Sequence, residues 1–526
     1  MKKTVKKLAA VGLTLTSVMS LAACGNKDNS SSKKEATKPE KFSVMMDNTV
    51  VIEDNGGQAF RDQLEEALDL KGCIEWIQPD HSGYYDQVAQ AFTSTSTMPD
   101  VVILSADKYA VYAQSGLLWN MTDAWNNSET KNSGRLISTA NAVYDSLVVN
   151  GGEGTKGMYG FTAARGNGCV TFVKKAWLKD AGYDDAYIKK LGTESISWND
   201  YYSMLKKMQE TKGRAVISAP GYVSDEAPYT NYLPEFYAGA NFTFYKDSTG
   251  KYVDGFSEKA METALQRIQN GVKDGIIDKE SDGQKTSGAR DKFYGKKGTS
   301  VETGVFTYWA GTWKQTIIDN LASNKLDTEL VTMMPIKELG KYQERLSPVW
   351  SITTACDNPE GVFTYFIDKF LDGGEVQTLW TYGAKGTHWD DKAESVTIQG
   401  KEDKPTTYKE GEFHFLPSPQ TPTSLMKKNH IDPSLSLGTF KDKDPGASSV
   451  SEIAKTDEQF FADHSEVVTP LPATDEYVEL IGDINTCRKS IVGKVAIGTL
   501  SPADGIAEYK KTVGDKVEKV LASYNK

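Results

Sequence analysis

Residues 98–118 read MPDVVILSADKYAVYAQSGLL. Val101 to Leu104 is an apolar run of strand length, and Lys108 to Gln114 then reads as a helix. Upstream the same alternation recurs. Phe42 to Met46 is a short apolar strand, Phe60, Leu64 and Leu68 repeat at helical spacing, and Cys73 to Ile77 is a second strand before a helix from Tyr85 to Phe92. Strands and helices alternating at this spacing predict parallel βαβ units through Phe161, and so an α/β fold.

Farther along, Ser197-Trp198-Asn199-Asp200 has the form of a capping box, with Asp in place of the usual Glu, for a helix to Glu210. Ala260, Ala264, Leu265, Ile268 and Val272 mark an amphipathic helix stopped by Gly275. The tail opens a helix at Ser501-Pro502, with Ile506, Tyr509, Val513, Val517 and Val520 as its apolar stripe. Between about 390 and 475 the pattern weakens and prolines gather at 405, 417, 419, 422, 433 and 445. Two readings stay open there: a decorated loop over a ligand cleft, or a surface insertion without a role.

At the other end, Lys2, Lys3, Lys6 and Lys7 precede an apolar core from Leu8 to Leu21. That core is too short for a permanent membrane span, so residues 1–23 read as a signal peptide. It closes on Leu21-Ala22-Ala23-Cys24, small residues before a cut and a thiol that takes a thioether-linked lipid. Residues 24–41 are polar and charged, a composition that buries too little surface to order itself, and they read as a flexible tether. The formal net charge is −11, and more negative still without the signal-peptide lysines. An acidic body argues against nucleic acid, whose phosphates need a basic face.

Enzyme motifs fail on context. Gly152-Glu153-Gly154-Thr155-Lys156-Gly157 has the letters of a dinucleotide fingerprint but leads into the strand-like Met158 to Phe161, not a helix, so it reads as a turn. There is no phosphate loop, no HExxH and no GxSxG, and the five histidines stand singly. Cys73, Cys169, Cys356 and Cys487 have no zinc-type spacing. They read as buried free thiols, with two disulfides as the alternative. No catalytic residue, metal or cofactor is assigned.

Several segments together resemble the family 1 extracellular solute-binding proteins, especially the large branch with alginate-binding lipoproteins. They are Met98-Pro99-Asp100-Val101-Val102, Gln114 to Leu118 with Met121-Thr122-Asp123, and Gly157 to Phe161. Trp177 to Gly182 followed by Ser197 to Asp200, Gly271 to Lys279, Trp380 to Trp389 and Ile491-Val492-Gly493 continue the series. Each motif alone is weak; their order behind a lipobox is specific. The resemblance implies a periplasmic-binding-protein-like fold of type II, two α/β lobes that close over a ligand about a hinge. The lobes would be residues 42–162 plus 350–412 and residues 163–349 plus 413–526. Crossings would fall near Tyr159 to Ala164, near Ser347 to Ile352, and after Trp389. Some members carry a calcium loop after the helix at 198–210; Lys212 to Ile217 lacks the oxygen ligands for one.

The implied function is a lipid-anchored, extracytoplasmic receptor, monomeric, that hands an oligosaccharide to the permease subunits of an ABC importer. The long Ser/Lys-rich tether favours a Gram-positive surface. A peptide receptor of the same importer class and a secreted carbohydrate-active enzyme are the alternatives. Sugar sites need aromatic platforms and fixed hydrogen-bond partners, which points to Tyr308, Trp309 and Trp313, and to Trp350 at the second crossing. The same aromatics could instead be lobe core. Asn48, Ser105 and Asp107 follow strands, and Arg165 and Asn167 follow the first crossing. Of eight arginines only Arg165 falls at an expected hinge, so the ligand is expected to be neutral or sparsely charged.

Overall fold

The computed structural model describes residues 36–80, 83–223, 232–296, 298, 302–397, 405–417, 431–468 and 471–526. The expected signal peptide, Cys24 and most of the tether lie outside the described residues, as do His81 and His430. No helix among the described residues is long and apolar enough to cross a membrane.

The strands that carry the two main sheets are β1 (Phe42–Met45), β2 (Ile74–Ile77), β3 (Val101–Leu104), β4 (Cys169–Lys174), β5 (Val305–Trp309), β6 (Leu330–Thr332) and β7 (Val349–Ile352). In the first sheet the order is β2-β1-β3-β7. Helices α1 (Gly57–Ala67) and α2 (Tyr84–Ala91) make the parallel connections β1 to β2 to β3, and α3 (Ala106–Gln114) leaves β3. β7 enters antiparallel to β3, with Trp350 opposite Ile103, after the chain has built a second lobe. Phe161 then bridges to Trp350 on the far side. A late strand thus returns to the edge of the first lobe's sheet, in keeping with the type II fold that the resemblance implied.

The second sheet is antiparallel, ordered β6-β4-β5, and Ile217 extends it beside Val305 and Ile277. Every residue of β4 is buried, because the sheet is covered on both faces. Val170 and Phe172 join Phe306 and Tyr308 in one cluster, while Val173 and Val305 join the other, as a period of two requires. The larger cluster is closed by α4 (Trp198–Lys212), α5 (Lys259–Lys273) and the C-terminal pair of helices. Ser197 caps α4 by a true capping box with Asp200, and Gly213 ends it at φ 62°. Residues 214–217 therefore turn straight into the sheet, with Arg214 paired to Glu302.

α6 (Thr312–Ser323), α7 (Glu452–His464), α8 (Asp475–Ala496) and α9 (Pro502–Tyr524) complete the second lobe. The stripe expected on the last helix is buried, and Ser501 accepts from the Asp504 N–H at 3.1 Å. The four described cysteines form no disulfide with one another; Cys169 and Cys356 are buried, Cys73 and Cys487 half-buried. The weak region after 390 divides. Trp389–Asp390 pairs with His414–Phe415 and Glu394–Val396 with Thr406–Tyr408, a ribbon on the first lobe. Ile431, Leu435 and Leu437 pack into the first lobe's core, although the sequence boundary placed them in the second.

The passages between the lobes lie side by side. Residues 161–168 run along 343–350: the Phe161 and Trp350 backbones exchange hydrogen bonds, and the Arg345 N–H donates to the Asn167 carbonyl. A Cβ on Gly166 would sit 1.5 Å from the Arg345 carbonyl oxygen, so only glycine fits that approach. On the other side, Arg165 N–H donates to Leu435 and Leu437 N–H to Ala163. The third passage comes well after Trp389: Gly446 still packs on Tyr382, and Asp457 of α7 binds the Gly311 N–H at 3.0 Å.

Candidate functional site

The carboxyl end of β3 delivers Ser105, Asp107 and Lys108 to the wall of a cavity of about 1270 Å³. Tyr85 from the start of α2 stands beside them, 39% exposed. The Ser105 hydroxyl donates to Asp107 Oδ1 at 2.6 Å. Burial raises the Tyr85 phenol above its ordinary range, Ser105 hydrogen-bonds to it, and the charges of Asp107 and Arg345 reach it. Strand ends facing a crevice between two α/β units are where such folds bind ligands.

The opposite wall comes from the hinge and the second lobe. Gln343, Arg345, Leu346 and Pro348 of the second passage line it, with Glu466 and Val468 beside them. Arg345 lays its guanidinium 4.4 Å over the Trp309 ring, which fixes a planar set of N–H donors at the cavity. Farther out the lining turns aromatic and apolar, with Phe242, Tyr245, Tyr252, Tyr477, Val478 and Ile481. Lys108, Lys246, Lys341 and Arg345 face Asp107, Glu338 and Glu466, so neither sign dominates. This mixture fits a ligand with both ring faces and hydroxyls.

A smaller depression of about 390 Å³ lies on the second lobe between Trp198, Tyr202 and Arg267. Arg267 already covers the Trp198 ring at 4.5 Å and donates to the Ala238 carbonyl at 2.7 Å. It is a surface hollow with no contribution from the first lobe.

The sequence candidates separate. Ser105 and Asp107 lie on the cavity wall, and Trp309 supports it through Arg345. Trp350 does not: it is 0% exposed in the first lobe's core, against Phe366, Phe370 and Trp380, because β7 is covered on both faces. Tyr308 is buried and Trp313 packs edge-on against it at 5.0 Å, with Arg290 over both rings. Neither lines the cavity. Arg165 is forked to Glu344 inside the hinge, Asn167 donates to the Ala310 carbonyl at 3.2 Å, and Asn48 donates to Asp80 at 2.9 Å on the surface. Of the described arginines, Arg345 lines this cavity and Arg165 does not. The sequence marks Tyr85 only as a helix start, and the stretch from Phe242 to Tyr245 carries no periodicity that marks it.

No family model matches the chain, and no curated protein matches it in sequence. Among solved structures it is similar to the N-glycan transport solute binding protein from Streptococcus pneumoniae, with TM-score 0.58 at 17% identity over 92% of this chain and 97% of that one. An alginate-binding protein, AlgQ2 without calcium ion, matches at 0.56 and 16% over 93% and 97%. A family 1 extracellular solute-binding protein from Alicyclobacillus acidocaldarius matches at 0.53 and 14% over 92% and 100%. These identities establish a shared fold.

Proposed function

We propose, on the premise that this chain has the two-lobe fold of the extracellular solute-binding proteins, that it captures an oligosaccharide between its lobes and delivers it to the permease of an ABC importer. The observation that carries the reading is the cavity itself. First-lobe groups at the end of β3 face an arginine–tryptophan stack at the hinge and an aromatic shelf on the second lobe. Hinge bending over a ligand would bring both walls onto it. The near balance of charge around the cavity supports a neutral or sparsely charged glycan. The protein acts as a receptor rather than an enzyme, as a monomer, outside the cytoplasm.

Intrinsic tryptophan fluorescence against neutral glycans, uronate oligomers and peptides tests this. Neutral oligosaccharides should perturb the emission and remain chromatographically intact after long incubation. Cleavage products would make the protein a hydrolase, and a response to peptides alone would make it a peptide receptor. Strongly salt-sensitive binding of uronates, with none of neutral sugars, would overturn the neutral assignment.

The lipid anchor belongs to the same proposal, and Cys24 carries it. Cys24→Ser should move the protein from the membrane fraction into the medium or periplasm. Wild type that incorporates no labelled fatty acid would end the lipoprotein reading.

A further inference from the structure

Each passage between the lobes brings a charged side chain to one buried spot. Arg165 comes from the first, Glu344 from the second, and Glu458 from α7 just beyond the third. Arg165 Nη2 donates to Glu344 Oε2 at 2.5 Å and its Nε to Oε1 at 3.2 Å, a bidentate fork. Its remaining nitrogen lies 3.6 Å from Glu458 Oε1. All three residues are buried.

The two carboxylates are not equivalent. Glu344 takes the fork, whereas neither oxygen of Glu458 has a hydrogen-bond partner among the described residues. Three other acids act on Glu458: Asp432, Glu344 and its own neighbour Asp457. Asp457 is held by Lys314 of α6 at 3.0 Å and by the Gly311 N–H, so the Lys314 charge is already engaged. Asp463, on the same helix as Glu458, directs its charge at Arg165. On the α6 side, Gly311 stands so close that a Cβ there would be 2.7 Å from Glu458 Oε2. Burial first, then these acids, outweigh Arg165 and push the Glu458 carboxyl up to about 8.

Asp432 ties this charge to the lobe angle. It sits in the segment whose Ile431, Leu435 and Leu437 belong to the first lobe's core, while its Oδ2 accepts from Thr312 of the second lobe at 3.1 Å. Glu458 rides on α7, packed against α6 in the second lobe. We infer that Glu458 is a proton-linked latch of the hinge. Protonated, it tolerates Asp432 and holds the lobe arrangement seen here; ionised, it repels Asp432 across the lobe boundary and drives the lobes to a different angle. The sign follows from linkage. The arrangement seen here binds the proton more tightly than a rearranged one, so it is favoured at low pH and loses ground as pH rises through about 8. The latch would regulate the proposed ligand cleft, and its consequence for transport rests on that reading; the charge device does not.

Ligand-free solution scattering between pH 6 and 9.5 tests it. The radius of gyration of wild type should change through a transition near pH 8, and Glu458→Gln should keep its pH 6 value throughout. Asp432→Asn, which removes the facing charge from the first lobe, should abolish the transition. If wild type shows no transition, or Glu458→Gln shows the same one, the latch is refuted. Should Glu458→Gln fail to fold, Asp432→Asn decides alone, and a transition that persists in it refutes the latch. Glycan titrations at pH 6.5 and 9 are scored separately. Absence of glycan binding with the transition intact would remove the receptor reading and leave the latch standing.

Discussion

Single residues show why burial, not residue type, decides role here. Glu235 is buried in the second lobe, where Thr171 Oγ1 donates to it at 2.6 Å and Thr171 in turn meets Thr307 at 2.8 Å. Burial pushes its carboxyl up to about 7. Folding therefore binds a proton that the unfolded chain releases at its ordinary value, and stability should fall as pH rises from about 4.5 through 7. Glu235→Gln should flatten that fall: melting temperatures of the two proteins should converge near pH 5 and separate above pH 7, with the variant higher. Parallel curves would show that Glu235 is ionised throughout. Trp350 and Tyr85 make the complementary pair. Trp350→Ala should cost roughly 3–5 kcal/mol in denaturant unfolding, as for other large core deletions. Tyr85→Ala, at an exposed cavity position, should leave the unfolding midpoint nearly unchanged and weaken ligand capture.

Elements were more legible than the contacts between them. The βαβ alternation through Val101 to Leu104, the Ser197 capping box and the stripe of α9 are local patterns, and all of them appear in the structure. Ser197→Ala should accordingly cost about 1 kcal/mol, read by chemical denaturation; no change would mean that the Asp200 side chain suffices alone. What the sequence could not disclose was orientation at the hinge. Arg165 and Arg345 flank the same crossing strands, and only the neighbouring Glu344 determines that one is forked inward while the other stacks on Trp309. Trp350 misled for a related reason: a strand buried on both faces has no alternation by which to tell inside from outside. The shelf from Phe242 to Tyr245 belongs to a segment without a helical period, so nothing in its spacing set it apart from core aromatics. Gly166 is the hinge position most exposed to test. Gly166→Ala places a Cβ against the Arg345 carbonyl and should part the first two passages, lowering both melting temperature and ligand affinity. A variant as stable as wild type would show that the passages separate freely.

At the scale of the molecule, two lobes with separate cores meet along three backbone passages, and the cavity between them draws its walls from both. The proposed receptor needs each wall to contribute, since neither lobe alone would surround a ligand. Calorimetric titration of wild type, Tyr85→Ala and Arg345→Ala with a panel of neutral oligosaccharides measures that need directly. The account predicts that at least one glycan binds wild type and that both variants lose affinity at least tenfold while folding normally, a difference of about 1.4 kcal/mol or more. A glycan that binds both variants as tightly as wild type, or no glycan binding to wild type at all, would contradict it.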